Sequence, residues 1–269
     1  MKPAFLFLAL LICLRPALSQ SAAPQPAQAP TSAAPASPAS PSANPAAAVA
    51  AVNQGLTALQ ANQPQAALAD FQQALQADPQ NATAAQLAAT AALELYQAPL
   101  AVQYAEKAHQ LDPQSWKIHT TLVAAYAAAG NRQQRDQERA LLRQLHATGA
   151  PDARQATGFL LEMFPSGPNR VDAVEYFEPV GKFHTWYRFL VRRPDGQRIW
   201  EVDVQSNDFD EKSWAQAHPA QAAAGQRQFQ LTGYGDNHQE VDYRMFSGQP
   251  DYDTIRAMVI QILESHPPQ

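Results

Sequence analysis

The chain has one cysteine in 269 residues, Cys13, placed inside an apolar run close to the start. The remaining 268 positions therefore hold no disulfide, no zinc–thiolate site and no cysteine nucleophile. A lipid-anchoring cysteine requires a small residue just before it, and Ile12 stands there instead. Basic clusters are also lacking. The 19 Lys and Arg are outnumbered by 24 Asp and Glu, giving a net charge of −5 without long runs of either sign, which speaks against nucleic acid or anionic lipid as a partner. No P-loop, dinucleotide fingerprint or G-x-S-x-G elbow occurs, and no cofactor is expected.

What the chain has first is an export pattern. Lys2 supplies a positive start, 5–14 is continuously apolar, and Ala17-Leu18-Ser19 presents small residues at the two positions a signal peptidase reads. Residues 1–19 are expected to be a leader cleaved after Ser19. The apolar run falls short of the roughly 20 residues that span a bilayer, and Arg15-Pro16 ends it. Residues 20–46 are almost entirely Ala, Pro, Ser and Gln. They offer too little apolar surface to offset the entropy of ordering, and read as a semi-extended tether. The expected location is the periplasm or cell surface of a bacterium, with no stable membrane insertion after cleavage.

Periodicity is the clearest signal. Ala67, Phe71, Ala74 and Pro79 recur 34 residues later as Ala101, Ala105, Ala108 and Pro113. Segments 47–61, 65–77, 83–95, 100–111, 115–129 and 132–147 are rich in helix formers, and turns containing Pro, Asp, Asn or Gly separate them. Small residues at Gly55, Ala58 and Ala89 suit close helix–helix approach. Period and residue types resemble the tetratricopeptide repeat (TPR) family, over units 47–79, 80–113 and 114–147. In the third unit Leu122, Tyr126 and Gly130 match, but Arg135 and Arg139 replace the expected small or aromatic residues, so the last helix reads as a polar cap.

The resemblance implies an all-α solenoid whose first helices line a groove for a peptide or protein. The corresponding positions are Val49, Val52, Leu56, Leu59, Gln86, Thr90, Leu93, Lys117, Thr120 and Ala124, a neutral and partly apolar lining. The family's carboxylate clamp is matched only at Lys117, since Val52, Leu56, Leu87 and Thr121 occupy its other positions. A segment with small apolar side chains fits such walls better than a charged tail. Leu56 and Leu93 read equally as packing between neighbouring repeats. Asn81 reads as a helix cap ahead of a glycosylation acceptor.

After Gly149-Ala150-Pro151 alanine thins out and aromatic and β-branched residues appear, so 156–269 is expected to form a separate α+β domain. Strands are expected at 159–164, 170–177, 184–193, 198–205, 227–234 and 240–246, with a hairpin at Pro194-Asp195-Gly196. Tyr187, Phe189 and Val191 alternate with polar neighbours, as do Trp200, Val202 and Val204. Over 251–264, the helical spacing of Ile255, Met258, Val259, Ile262 and Leu263 predicts a helix laid on one face of an antiparallel sheet. A short helix within 209–225 is interrupted by Pro219. The runs 231–235 and 246–253 resemble the tails of uncharacterised bacterial secreted TPR proteins, which adds nothing to mechanism.

Imidazoles and carboxylates at His184, His218, His238, Asp203, Asp236 and Asp242 suit acid–base or metal chemistry, but none stands at ligand spacing, and no catalytic residue or metal site is assigned. Tyr176, Phe177, Phe183, Trp186, Tyr187 and Trp200 read as core or as an aromatic platform. Trp186, out of register with Tyr187 and Phe189, is the surface candidate. Two readings follow: an exported non-catalytic interaction scaffold, or a carbohydrate- or cell-wall-processing accessory protein or hydrolase with its site around Trp186 and His184.

Overall fold

The computed structural model describes residues 44–206, 216, 219–223, 228–235, 239–248 and 250–268. The leader, most of the tether, Cys13, His218, His238 and Asp236 lie outside the described residues.

Six helices come first: α1 (Pro45–Gln60), α2 (Pro64–Ala77), α3 (Ala82–Glu94), α4 (Ala98–Leu111), α5 (Trp116–Ala128) and α6 (Arg132–Thr148). Their starts follow from local chemistry. Asn44 and Asn81 cap α1 and α3 by accepting the amides of Ala47 at 3.1 Å and Ala84 at 2.9 Å, and prolines open α1, α2 and α4, where a missing N–H costs nothing. Consecutive helices pair as antiparallel hairpins, while α1 packs on α3 and α3 on α5. After the first helix of each hairpin the backbone turns left-handed at the same 34-residue interval, at Asn62 (φ 56°), Tyr96 (φ 56°) and Gly130 (φ 72°). Only the last of these is the residue type that adopts this conformation without steric cost. The core between layers is built largely of alanine, with Phe71, Leu68, Leu122 and Ile118 as the larger members. Gly55 lies so close to the Phe71 ring that a Cβ there would fall 2.4 Å from Cε1.

A short helix, α7 (Pro151–Gln155), leads into the second part. Strands β1 (Gly158–Ser166), β2 (Asn169–Val180), β3 (Thr185–Arg192) and β4 (Arg198–Ser206) are followed by helix α8 (Pro219–Ala223), strands β5 (Gln228–Tyr234) and β6 (Glu240–Ser247), and helix α9 (Tyr252–Ser265). The six strands form one antiparallel sheet in sequential order. Alternation decides its faces. Tyr187, Phe189, Val191, Trp200, Val202 and Val204 are all buried, and α9 covers them with Tyr252, Ile255, Val259, Ile262 and Leu263. The architecture is therefore a helical-hairpin solenoid of TPR type followed by an α+β domain. Among the described residues no helix is long and apolar enough to cross a membrane.

The last repeat helix departs from the polar cap expected of it. Arg135 and Arg139 are buried, and α6 docks them against β2, β3 and α9 rather than turning them to solvent. The reason is that the α+β domain packs against the third hairpin, so that both guanidiniums lie at an internal seam. Trp116, Val123 and Leu142 of the third repeat join its core, and β1 lies along α5.

Candidate functional site

The groove positions divide into an open end and a closed end. On α1, Val49 is 56% exposed and Leu56 36% exposed, with Val52 and Leu59 half-buried beside them, an apolar stripe at helical spacing. Further along, Gln86 is tied to α5, donating to the Lys117 carbonyl at 3.2 Å and to Thr121 Oγ1 at 3.3 Å. Thr90 and Thr120 donate back to their own helices, at the carbonyls of Gln86 and Lys117, as short polar side chains in helices commonly do. Lys117 is exposed. Leu93 and Ala124, by contrast, are 3% and 1% exposed and present nothing to a ligand.

Strand β1 explains that closure. Met163 belongs to the repeat core, Leu160 packs against it, and a cavity of about 240 Å³ lies between Leu93, Tyr96, Ala128, Met163 and Pro165. The sheet's turns reach the earlier hairpins. Asn62 Nδ2 donates to the Pro194 carbonyl at 2.6 Å, and Arg170 lies 3.9 Å from Glu94. The chain thus occupies the far part of its own groove.

The junction of α6 with the sheet forms a second concave feature. Arg135, Arg139 and Arg143 follow one another on the face of α6. Arg135 donates to Asp253 at 2.8 Å and to Asp136 at 3.0 Å, and its guanidinium lies 5.2 Å from the Tyr252 ring centre. Arg139 reaches Glu175 at 2.7 Å, Asp136 at 2.9 Å and the Tyr187 hydroxyl at 3.1 Å, and Arg143 also holds Glu175. Glu175, 2% exposed, tolerates burial because two guanidiniums face it. Burial pushes the Asp136 carboxyl up, but hydrogen bonds from Arg135 and Arg139 outweigh it and hold the pKa below the usual carboxylate range. The Arg135 hydrogen bond does the same at Asp253, and the Thr254 hydrogen bonds at Asp251. A cleft of about 450 Å³ opens over this network, lined also by Trp186, Tyr187, Pro250 and Tyr252.

Trp186 reaches the cleft through a bulge that the alternation pattern could not show. Thr185 pairs with Gln205 and Tyr187 with Val204, so Trp186 is the extra residue of β3. A bulge re-aims a side chain. Trp186 lines the cleft together with Tyr187, and its Nε1 donates to Ser206 Oγ at 2.9 Å. The other aromatic candidates do not assemble into one platform. Tyr187 and Trp200 are core, Phe177 stacks on His146 at 4.2 Å, and Phe183 stands exposed in the β2–β3 connection. His184, in that same connection with φ 49°, accepts the Ser206 amide at its carbonyl and does not line the cleft. Asp203 is held by Arg188 in a two-pronged pair at 2.7 and 2.6 Å, and Asp242 by Arg244 at 3.1 Å. Among the described residues no three His, Asp or Glu side chains converge as metal ligands.

No protein-family model matches the chain, and no curated protein does. Solved structures do. The first TPR of Spaghetti (RPAP3) bound to the HSP90 peptide SRMEEVD is 17% identical, covering 42% of this chain and 88% of its own at a TM-score of 0.39. The first TPR domain of human RPAP3 is 18% identical over 41% and 87% at 0.38, and the Arabidopsis OM64 TPR domain 21% identical over 41% and 90% at 0.38. All three are TPR domains. Likenesses this weak say nothing of ligand or partner.

Proposed function

We propose that the chain is an exported, non-catalytic scaffold that holds a peptide or protein segment on the open, first-repeat end of its helical groove. Val49 and Leu56 of the α1 stripe carry this reading, because they are left facing solvent beside Val52 and Leu59, which pack against the repeat core, while the same groove is closed at Leu93. A ligand with small apolar side chains gains affinity there by burial. The export reading rests on the Lys2, 5–14 and Ala17-Leu18-Ser19 pattern. The non-catalytic reading rests on the sequence, which carries no P-loop, dinucleotide fingerprint or G-x-S-x-G elbow.

The test is crosslinking capture from bacterial envelope extract, with the wild-type chain beside a Val49→Arg, Leu56→Arg variant whose fold is verified by circular dichroism. Enrichment of one protein by wild type and its loss in the variant is the expected result. Equal enrichment by both would remove the groove from the proposal, and no enrichment would count against the scaffold. Mass spectrometry of the chain recovered from a bacterial host checks the leader: a mature start at Gln20 is expected, and an intact residue 1 would refute export by this route.

A further inference from the structure

Outside the groove, the described residues form a cleft between α6, the bulge of β3 and the start of α9. Its construction goes beyond what docking of the sheet requires. The buried ends of Arg135, Arg139 and Glu175 already fasten α6 to α9 and to the sheet. Three features are left over. Trp186 is turned into the cleft by an inserted residue, although a regular strand would have sent that side chain to the opposite face. Arg143 is 51% exposed and has N–H groups to spare beyond the one on Glu175. Asp136, also 51% exposed, has Oδ1 taken by two guanidinium N–H groups, from Arg135 and Arg139, and Oδ2 by one from Arg135, which leaves Oδ2 able to accept a further donor.

We propose that this cleft is a binding site for a neutral saccharide. A pyranose ring has one flat face of C–H groups, which an indole covers without hydrogen-bonding demands, and a rim of hydroxyls of which one can donate to a carboxylate oxygen while a neighbour accepts from a guanidinium. Trp186, Asp136 and Arg143 supply those three complements around one opening. Charge selects against other ligands. Three guanidiniums and three carboxylates line the walls, so no net field attracts an anion or a charged peptide terminus. A volume of about 450 Å³ lies within the range of small-molecule sites, about 300–1,000 Å³. The depressed pKa values of Asp136 and Asp253 fit acceptors that stay ionised.

The experiment is calorimetric titration of the purified full chain with three neutral trisaccharides, cellotriose, maltotriose and the N-acetylglucosamine trimer, beside a galacturonate trisaccharide and an Ala-Pro-Ala-Pro peptide. Binding of at least one neutral trisaccharide is expected, weakened roughly tenfold or more by Trp186→Ala and by Arg143→Gln, as for an anchoring aromatic or guanidinium. Val49→Arg, Leu56→Arg should leave it unchanged, so failure of the groove reading and failure of this one remain distinguishable. Arg143→Gln alters a half-exposed side chain and decides the matter if Trp186→Ala does not fold. Absence of binding by all three neutral sugars, binding unaffected by Arg143→Gln, or preference for the peptide or the acidic sugar overturns the proposal.

Discussion

Replacing Gly55 by alanine should destabilise the chain, against the ordinary preference for alanine in a helix. The expected gain from removing a mid-helix glycine is about 1 kcal/mol. Against it stands the Phe71 ring, wholly buried, whose Cε1, Cδ1 and Cζ would lie 2.4, 2.8 and 2.8 Å from the new methyl. Relieving such contacts requires moving either the ring or α1 itself, and overpacking of this kind costs about 1–3 kcal/mol. The net effect is a loss of about 1 kcal/mol. In a Phe71→Leu background the obstruction is gone, so the same Gly55→Ala change should stabilise by about 1 kcal/mol, a coupling of about 2 kcal/mol between the two sites. Urea unfolding of all four proteins, followed by far-ultraviolet circular dichroism, reads this directly. With a denaturant slope of about 2 kcal/mol/M, each step moves the midpoint by about 0.5 M, in opposite directions in the two backgrounds. If Gly55→Ala stabilised both backgrounds equally, the close approach of α1 and α2 would be refuted.

Other expectations follow from the same geometry. Arg139→Met should cost about 3 kcal/mol by leaving Glu175 buried with Arg143 alone, and adding Glu175→Leu should recover most of it in thermal unfolding. Tyr96→Gly should be neutral or stabilising by up to about 1 kcal/mol, since it relieves a left-handed residue at a half-exposed turn; equilibrium unfolding checks the sign. His119 gives a pH dependence. Burial of its imidazole pulls the pKa down, but the hydrogen bond to Glu138 at 2.6 Å, that residue's charge and the Pro113 carbonyl at 3.1 Å more than offset this, so the folded value is raised. Its contribution is therefore full below about pH 6.5 and lost as pH rises through the higher folded value. Urea midpoints at about pH 6 and about pH 9 should differ more in wild type than in His119→Gln.

The parts of the fold that repeat or alternate could be read from sequence. The 34-residue recurrence of small residues locates the hairpins, and strict alternation at Tyr187, Phe189 and Val191 identifies the buried face of the sheet. Helix α7 escaped because five residues carry no period. The role of Arg135 and Arg139 escaped for a different reason. On one helix they have the pattern of a solvated face, and only contacts with Asp253 and Glu175, far along the chain, make them internal. Leu93 was ambiguous because helical spacing cannot tell an open groove from one filled by a strand seventy residues later. Trp186 shows the same limit at the scale of one residue, since a period of two breaks down where a bulge inserts.

Solenoids ordinarily gain and lose units over evolutionary time, because each unit touches only its neighbours. Here that freedom is gone. The β3–β4 turn holds the α1–α2 loop of the first hairpin through Asn62, Arg170 of β2 approaches the end of α3 in the second hairpin at Glu94, and β1 runs along α5 of the third. Inserting or deleting one 34-residue unit would carry two of these three anchorages out of reach at once. The sheet therefore counts the hairpins, and a viable lineage should vary its tether length freely while keeping the number of repeats at three.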